Sequence, residues 1–268
     1  MIYEALLGSV GDVGDIFHAA LWFFPRTMAF IALLPLFSRS ISTWLIKSCV
    51  CAALIMMPAI QFAPLVDLQV THSLAIIGMM LSEALLGVML CFVILTPYFA
   101  YRIAGNLIDN LRGTSFAAQM TSGESGESLP LEEFMTIVYI YLFLTGAGLI
   151  QAVELVQGSF IVLPPGVLAM GDLQMWAIPV FELFKKAFVM AFLICAPVIV
   201  VLILTELCVA VVAAFTPNVQ FYSMQFGLKC LIGLLILLLI FEFMNDAVSQ
   251  MIRQNLEWIS GFLAEVPR

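Results

Sequence analysis

Residues 74–98 read LAIIGMMLSEALLGVMLCFVILTPY, and residues 105–130 read GNLIDNLRGTSFAAQMTSGESGESLP. The first stretch is long enough to cross a bilayer core of roughly 30 Å, which takes about 20 apolar residues of helix. The second is the only long polar interruption between strongly hydrophobic segments. Its residues 105–113 are helix-like, whereas residues 121–128 are built from Gly, Ser, Thr and Glu and should not hold a helix. The contrast implies apolar helices around one polar loop.

Composition points the same way. The 268 residues are 63% hydrophobic and 10% charged, with a mean hydropathy of +1.11. Soluble domains carry about 25% charged residues and about 45–50% apolar ones, so this is an integral membrane protein or part of a membrane complex. A net charge of −8 with scattered Lys and Arg excludes a nucleic-acid partner, because phosphate binding needs clustered cations. The six cysteines all fall inside apolar runs, where free Cys serves as small hydrophobic filler. Residues 1–15 carry Glu4, Asp12 and Asp15 and no basic residue. No signal peptide is expected there, so insertion would use internal segments.

Six spans are expected, at residues 16–37, 45–66, 74–98, 134–153, 187–215 and 226–243, with residues 176–184 as a short re-entrant or hairpin piece. Long apolar blocks exclude the alternating strands of an outer-membrane barrel. The spans are impure. Arg26, Lys47, Glu83, Glu206, Lys229 and Glu242 lie within them or at their ends. A charge near the bilayer centre costs at least about 2.5–3.5 kcal/mol on insertion scales, so each should face protein or water. Snorkelling to the headgroups accounts better for Lys47 and Lys185-Lys186. Pro25, Pro35, Pro58, Pro97 and Pro197 should kink or end helices, which lipid tolerates only where neighbours satisfy the freed backbone. The basic residues place the first three loops in a positive-inside order and break that order later. Helices packed against partner protein fit this pattern better than isolated spans.

Catalytic signatures are absent from the sequence. It has no HExxH, SGESGES is neither a phosphate loop nor a nucleophile elbow, and His18 and His72 stand alone. On a helix, Asn106, Asp109, Asn110 and Gly113 fall at i, i+3, i+4 and i+7 as one polar stripe opposite Leu107, Ile108 and Leu111. Asp109 and Arg112 can pair at i, i+3, and Gly113 can end the helix in a left-handed cap. Spacing alone favours an ordinary loop with a surface ion pair.

Residues 104–113, AGNLIDNLRG, resemble the G-x-x-I/V-D-x-x-R-G segment of the SctT/SpaR/FliR family. Members of that family are inner-membrane export-apparatus proteins of virulence type III secretion systems and of the flagellum. Other pieces follow in order: Glu83 and Gly87, Gly148, Ser159-Phe160, residues 163–166 (LPPG), Ala196-Pro197, Glu206, residues 216–221 (TPNVQF) and Lys229. The likeness covers roughly residues 16–245 and favours the virulence branch. The chain departs from the family at Ala213-Ala214-Phe215, where Arg is common, and in the order of Asn and Gln after Pro217.

The resemblance implies an all-α membrane protein of about six long hydrophobic helices, several Pro-broken, arranged as hairpins in a hetero-oligomeric helical export-gate complex. It implies a single domain over residues 1–268, with a plug-like loop at 105–130 and a short C-terminal tail at 245–268. It further implies a location in the bacterial inner membrane, raised towards the periplasm. SctR-like and SctS-like subunits and an SctU-like switch protein are the implied partners, unfolded secreted polypeptide is the cargo, and no enzyme activity, cofactor or metal is implied. Thr114, Ser115, Phe116, Ala117, Ala118, Gln119 and Met120 would form the plug, anchored by Gly105, Asp109, Asn110, Arg112 and Gly113. Glu83, Glu206, Pro217 and Lys229 would serve intramembrane packing and assembly. The competing readings are a flagellar export protein and, further off, a secondary transporter coupled through Glu83, Glu206 and Lys229.

Overall fold

A computed structural model describes residues 13–37, 43–62, 73–113, 129–146, 148–165, 173–215 and 221–265, and every regular element among them is a helix. In chain order these are α1 (Val13–Leu33), a short 3-10 turn (Pro35–Phe37), α2 (Trp44–Phe62), α3 (Ser73–Arg112), α4 (Pro130–Thr145), α5 (Gly148–Val162), α6 (Leu173–Phe215) and α7 (Phe221–Glu265). The all-α expectation holds.

The expected count of six spans is redistributed. Three helices are long and apolar enough to cross a membrane, α3 over Ile76–Arg112, α6 over Val180–Phe215 and α7 over Gln225–Ile259, and α4 with α5 makes a fourth if the pair counts as one broken span. Helices α1 and α2 hold shorter apolar segments, Ala19–Leu33 and Trp44–Ile60. Helices α3, α6 and α7 contain 40, 43 and 45 residues. At 1.5 Å per residue each runs about 60–70 Å, twice the hydrocarbon thickness. Apolar runs therefore mark only part of each helix. Residues 176–184 are no re-entrant piece but lie inside α6, and residues 245–265 continue α7 as helix.

Prolines 25, 58 and 97 lie inside helices without ending them. A helical proline leaves the carbonyl four residues earlier without its N–H donor. For Pro58 that carbonyl is Leu54 O, which accepts from Gln157 Nε2 of α5 at 2.8 Å. For Pro97 it is Val93 O, which accepts from Asn255 Nδ2 of α7 at 3.2 Å. Asn255 is buried. Side-chain amides from other helices thus replace the lost backbone donors, as an apolar medium requires.

The helices gather into two compact units. The first contains α1, α2, residues 73–95 of α3, α5, the start of α6 and the end of α7. Its core is built on Phe23, Phe30, Ile31, Leu90 and Phe160, all at most 2% exposed, with Phe23 and Phe160 edge to face at 4.7 Å. Gly87 lets α1 and α3 approach closely, since a Cβ there would lie 2.1 Å from Arg26 O. The second unit contains the rest of α3, α4, residues 184–215 of α6 and α7 as far as Arg253. Ala100, Ala191 and Met251 pack together there, flanked by Ile103 and Met190. Tyr101 Oη, buried with its residue, donates to Asn245 Oδ1 at 2.6 Å.

Candidate functional site

The last turns of α3 and the first turn of α4 bracket residues 114–128. Helix α4 begins with Pro130, whose missing N–H costs nothing at a helix start. Its N-cap is Leu129, which has no side-chain acceptor to offer. Asp109, fully buried in α3, supplies that acceptor. Its Oδ2 accepts from Leu131 N at 2.7 Å and Glu132 N at 3.1 Å, while Oδ1 pairs with Arg112. One carboxylate therefore answers a guanidinium at the end of one helix and two orphan N–H groups, with the positive dipole end, of another.

Glycine makes the contact possible. A Cβ at Gly105 would fall 2.9 Å from Glu132 Cα and 3.0 Å from Leu131 O, so only hydrogen fits where α3 meets α4. Gly113 has φ +80° and donates to Asn110 O at 3.1 Å, ending α3 in the expected left-handed conformation. Around this junction Glu132 accepts from Arg102 Nε at 2.5 Å and from Asn106 Nδ2 at 2.8 Å. Asn110 is exposed and donates back to Asn106 Oδ1 at 2.8 Å.

The Asp109–Arg112 pair was expected; its burial rules out the ordinary surface ion pair. The polar stripe also faces differently from a solvated one. Asp109 and Ile108 are both at 0% exposure, because Asn106 and Asp109 turn towards α4. Thr114, Ser115, Phe116, Ala117, Ala118, Gln119 and Met120 lie outside the described residues, as does Pro217.

Four further intramembrane charges, Arg26, Glu83, Glu206 and Lys229, are paired within the chain. In the first unit, Glu83 Oε2 accepts from Arg26 Nε at 2.8 Å. Arg26 also donates to Ser159 O at 3.0 Å, Ser159 Oγ at 3.2 Å and Leu163 O at 3.0 Å, and its guanidinium lies 4.6 Å over the Phe160 ring. Arg26 thereby caps the carbonyl end of α5, where Pro164-Pro165 stops further helix. In the second unit Lys229 Nζ meets Glu206 Oε2 at 3.1 Å, with Lys229 buried and the Glu206 side chain 54% exposed. Sequence reasoning marked Arg26 as a costly intramembrane charge but gave it no partner. Ser159 and the Arg102–Glu132 pair received no role either. The cost of an unpaired charge in an apolar run was the available signal for Arg26; nothing in spacing marks Ser159 Oγ.

Among the described residues, no group of three or more His, Cys, Asp or Glu side chains is placed to hold a metal ion. The arrangement holds helices and brackets a polar segment, and it offers no converging nucleophile and base. It defines a multi-pass helical membrane protein with internally paired charges. Residues 17–255 match the family model described as "Bacterial export proteins, family 1", and the chain belongs to that family. It is 24% identical over 232 residues to the Yop proteins translocation protein T of Yersinia pestis, covering 85% of this chain and 88% of that protein. It is 25% identical over 170 residues to the surface presentation of antigens protein SpaR of Salmonella typhimurium, covering 63% of each. It is 24% identical over 241 residues to the flagellar biosynthetic protein FliR of Buchnera aphidicola, covering 86% of this chain and 90% of that protein. The chain is a structural component of bacterial protein export in the inner membrane and not an enzyme.

Proposed function

We propose that this chain is an export-gate subunit of a type III secretion system, acting as one domain. With SctR-like and SctS-like subunits it forms the entry portal for unfolded secreted polypeptides, next to an SctU-like switch protein. Residues 114–120 plug the lumen, and residues 121–128 supply slack. Helices twice as long as the bilayer is thick support a position raised out of the membrane towards the periplasm. A secretion system apparatus protein, SsaT of Salmonella typhimurium, is 26% identical over 173 residues and supports the virulence branch alongside the Yop and SpaR relatives.

The observation that carries the plug reading is the pinning of both ends of residues 114–128 at one place. Asp109 holds the turn before Gly113 and the first N–H groups after Leu129. A polar segment tied at its foot can occlude a lumen and move aside without unravelling the helices that carry it. Deleting residues 114–120 should make the assembled complex leak small ions while it still assembles; unchanged permeability would sink the plug.

The flagellar reading keeps the same mechanism with other partners, and the Buchnera FliR relative supports it. Secretion of virulence effectors against flagellar subunits in a deletion strain separates the two. A secondary transporter is disfavoured by pairing. Glu83 is held by Arg26 and Lys229 by Glu206, whereas coupling residues need access to a changing ion.

A further inference from the structure

The second unit holds a cavity of about 540 Å³ beside Arg112, walled by Leu131 and Phe134 of α4 and by Leu234, Leu237 and Phe241 of α7. Its size falls within the range of about 300–1,000 Å³ that holds small organic ligands. Apart from Arg112, all the side chains named are apolar. Leu237 is buried at 3%, whereas Phe134 and Leu234 are 44% and 46% exposed, so the cavity has a floor and an apolar flank. Arg112 is 5% exposed, and its Nε lacks an acceptor among the described residues.

We propose that this cavity binds one acyl chain of a membrane glycerophospholipid, whose ester carbonyl oxygen accepts from Arg112 Nε. The charge of Arg112 is already matched by Asp109. What the site lacks is therefore an acceptor and not a counter-ion, and a neutral carbonyl meets that need. Arg112 is also the last residue of the apolar candidate span Ile76–Arg112. A partner helix could fill the apolar walls, but its carbonyls are used internally except over its last turn. A lipid brings an apolar body with a free acceptor at its head. The proposal is independent of the plug.

The full-length chain is reconstituted in nanodiscs of phosphatidylethanolamine and phosphatidylglycerol, with a trace of either lipid carrying a photoactivatable acyl chain. Adducts should concentrate on Phe134 and residues 234–241, above the level on the exposed Phe188 and Phe192 of α6. Leu234→Trp, at a half-exposed position that tolerates bulk, should remove the excess. Arg112→Lys, which retains a cation for Asp109 but has no Nε, should reduce it at least about tenfold, the equivalent of one hydrogen bond from a charged donor. Both headgroups should label equally. Labelling no higher than on α6, or unchanged by both variants, overturns the proposal, as does a strong preference for phosphatidylglycerol. Protection of the cavity by a co-purifying membrane protein assigns the cavity to protein and overturns it as well.

Discussion

Arg26 and Asp109 are both at 0% exposure, and each is half of an Arg–carboxylate pair. Each joins distant segments, Arg26 through Glu83 and the end of α5, Asp109 through the first N–H groups of α4. Around Arg26 every guanidinium nitrogen has an acceptor, and those acceptors come from α3 and from α5 with the turn after it. Around Asp109 both carboxylate oxygens have partners, but among the described residues Arg112 keeps a buried Nε without one. The first cluster is closed on all sides, with Phe160 beneath the guanidinium. The second borders a cavity and the ends of a polar segment. A fully satisfied buried ion fixes helices against one another; a partly satisfied one leaves room for something else to bind or move.

Four substitutions probe this contrast. Arg26→Ala should have the largest effect, about 3–5 kcal/mol, because it strands a buried carboxylate. Unfolding in mixed micelles measures it, and the double variant Arg26→Met with Glu83→Leu should cost far less than either single change. Equal costs would mean that Arg26 contributes packing and not charge balance. Asp109→Asn should follow at about 2–3 kcal/mol, since the amide oxygen can still accept but Arg112 loses its counter-charge. Hydrogen exchange should accelerate at Leu131 and Glu132 specifically; protection there as in the wild type would break the link between the two helices. Gly105→Ala should cost about 1–2 kcal/mol, because its Cβ would meet backbone that can only shift. The same exchange measurement should show α4 loosened at its first turn. Glu206→Gln should cost less than about 1 kcal/mol in an unfolding titration, as expected of a pair with one exposed member. A larger loss would place Glu206 in a protein interface.

Much of the site was legible because it is local. The i, i+3 spacing of Asp109 and Arg112 and the glycine after them fix a pair and a helix end within one turn, and both are present. Glu83 and Lys229 were legible as residues needing partners, since an unpaired charge in an apolar run is too costly to persist. The partners were not legible. Arg26 lies 57 residues from Glu83 and 133 from Ser159, and no local rule links them. Helix lengths were misread for a related reason. Apolar runs report where a helix meets lipid or core, but a helix continues through Arg102, Asn106 and Asp109 once another helix answers those side chains.

The sequence alone determined an all-helical membrane protein with a single long polar interruption, because hydropathy and backbone chemistry leave apolar segments little choice but helix. It also determined the family, through the order of short motifs along the chain. Only the tertiary structure decided that Asp109 caps a helix beginning 21 residues after it, that Gln157 and Asn255 replace the donors lost at Pro58 and Pro97, and that Arg26 closes α5. Each of these joins a polar group to a backbone atom made orphan elsewhere in the chain. Which orphan a side chain meets depends on packing, and packing is not written in any one segment.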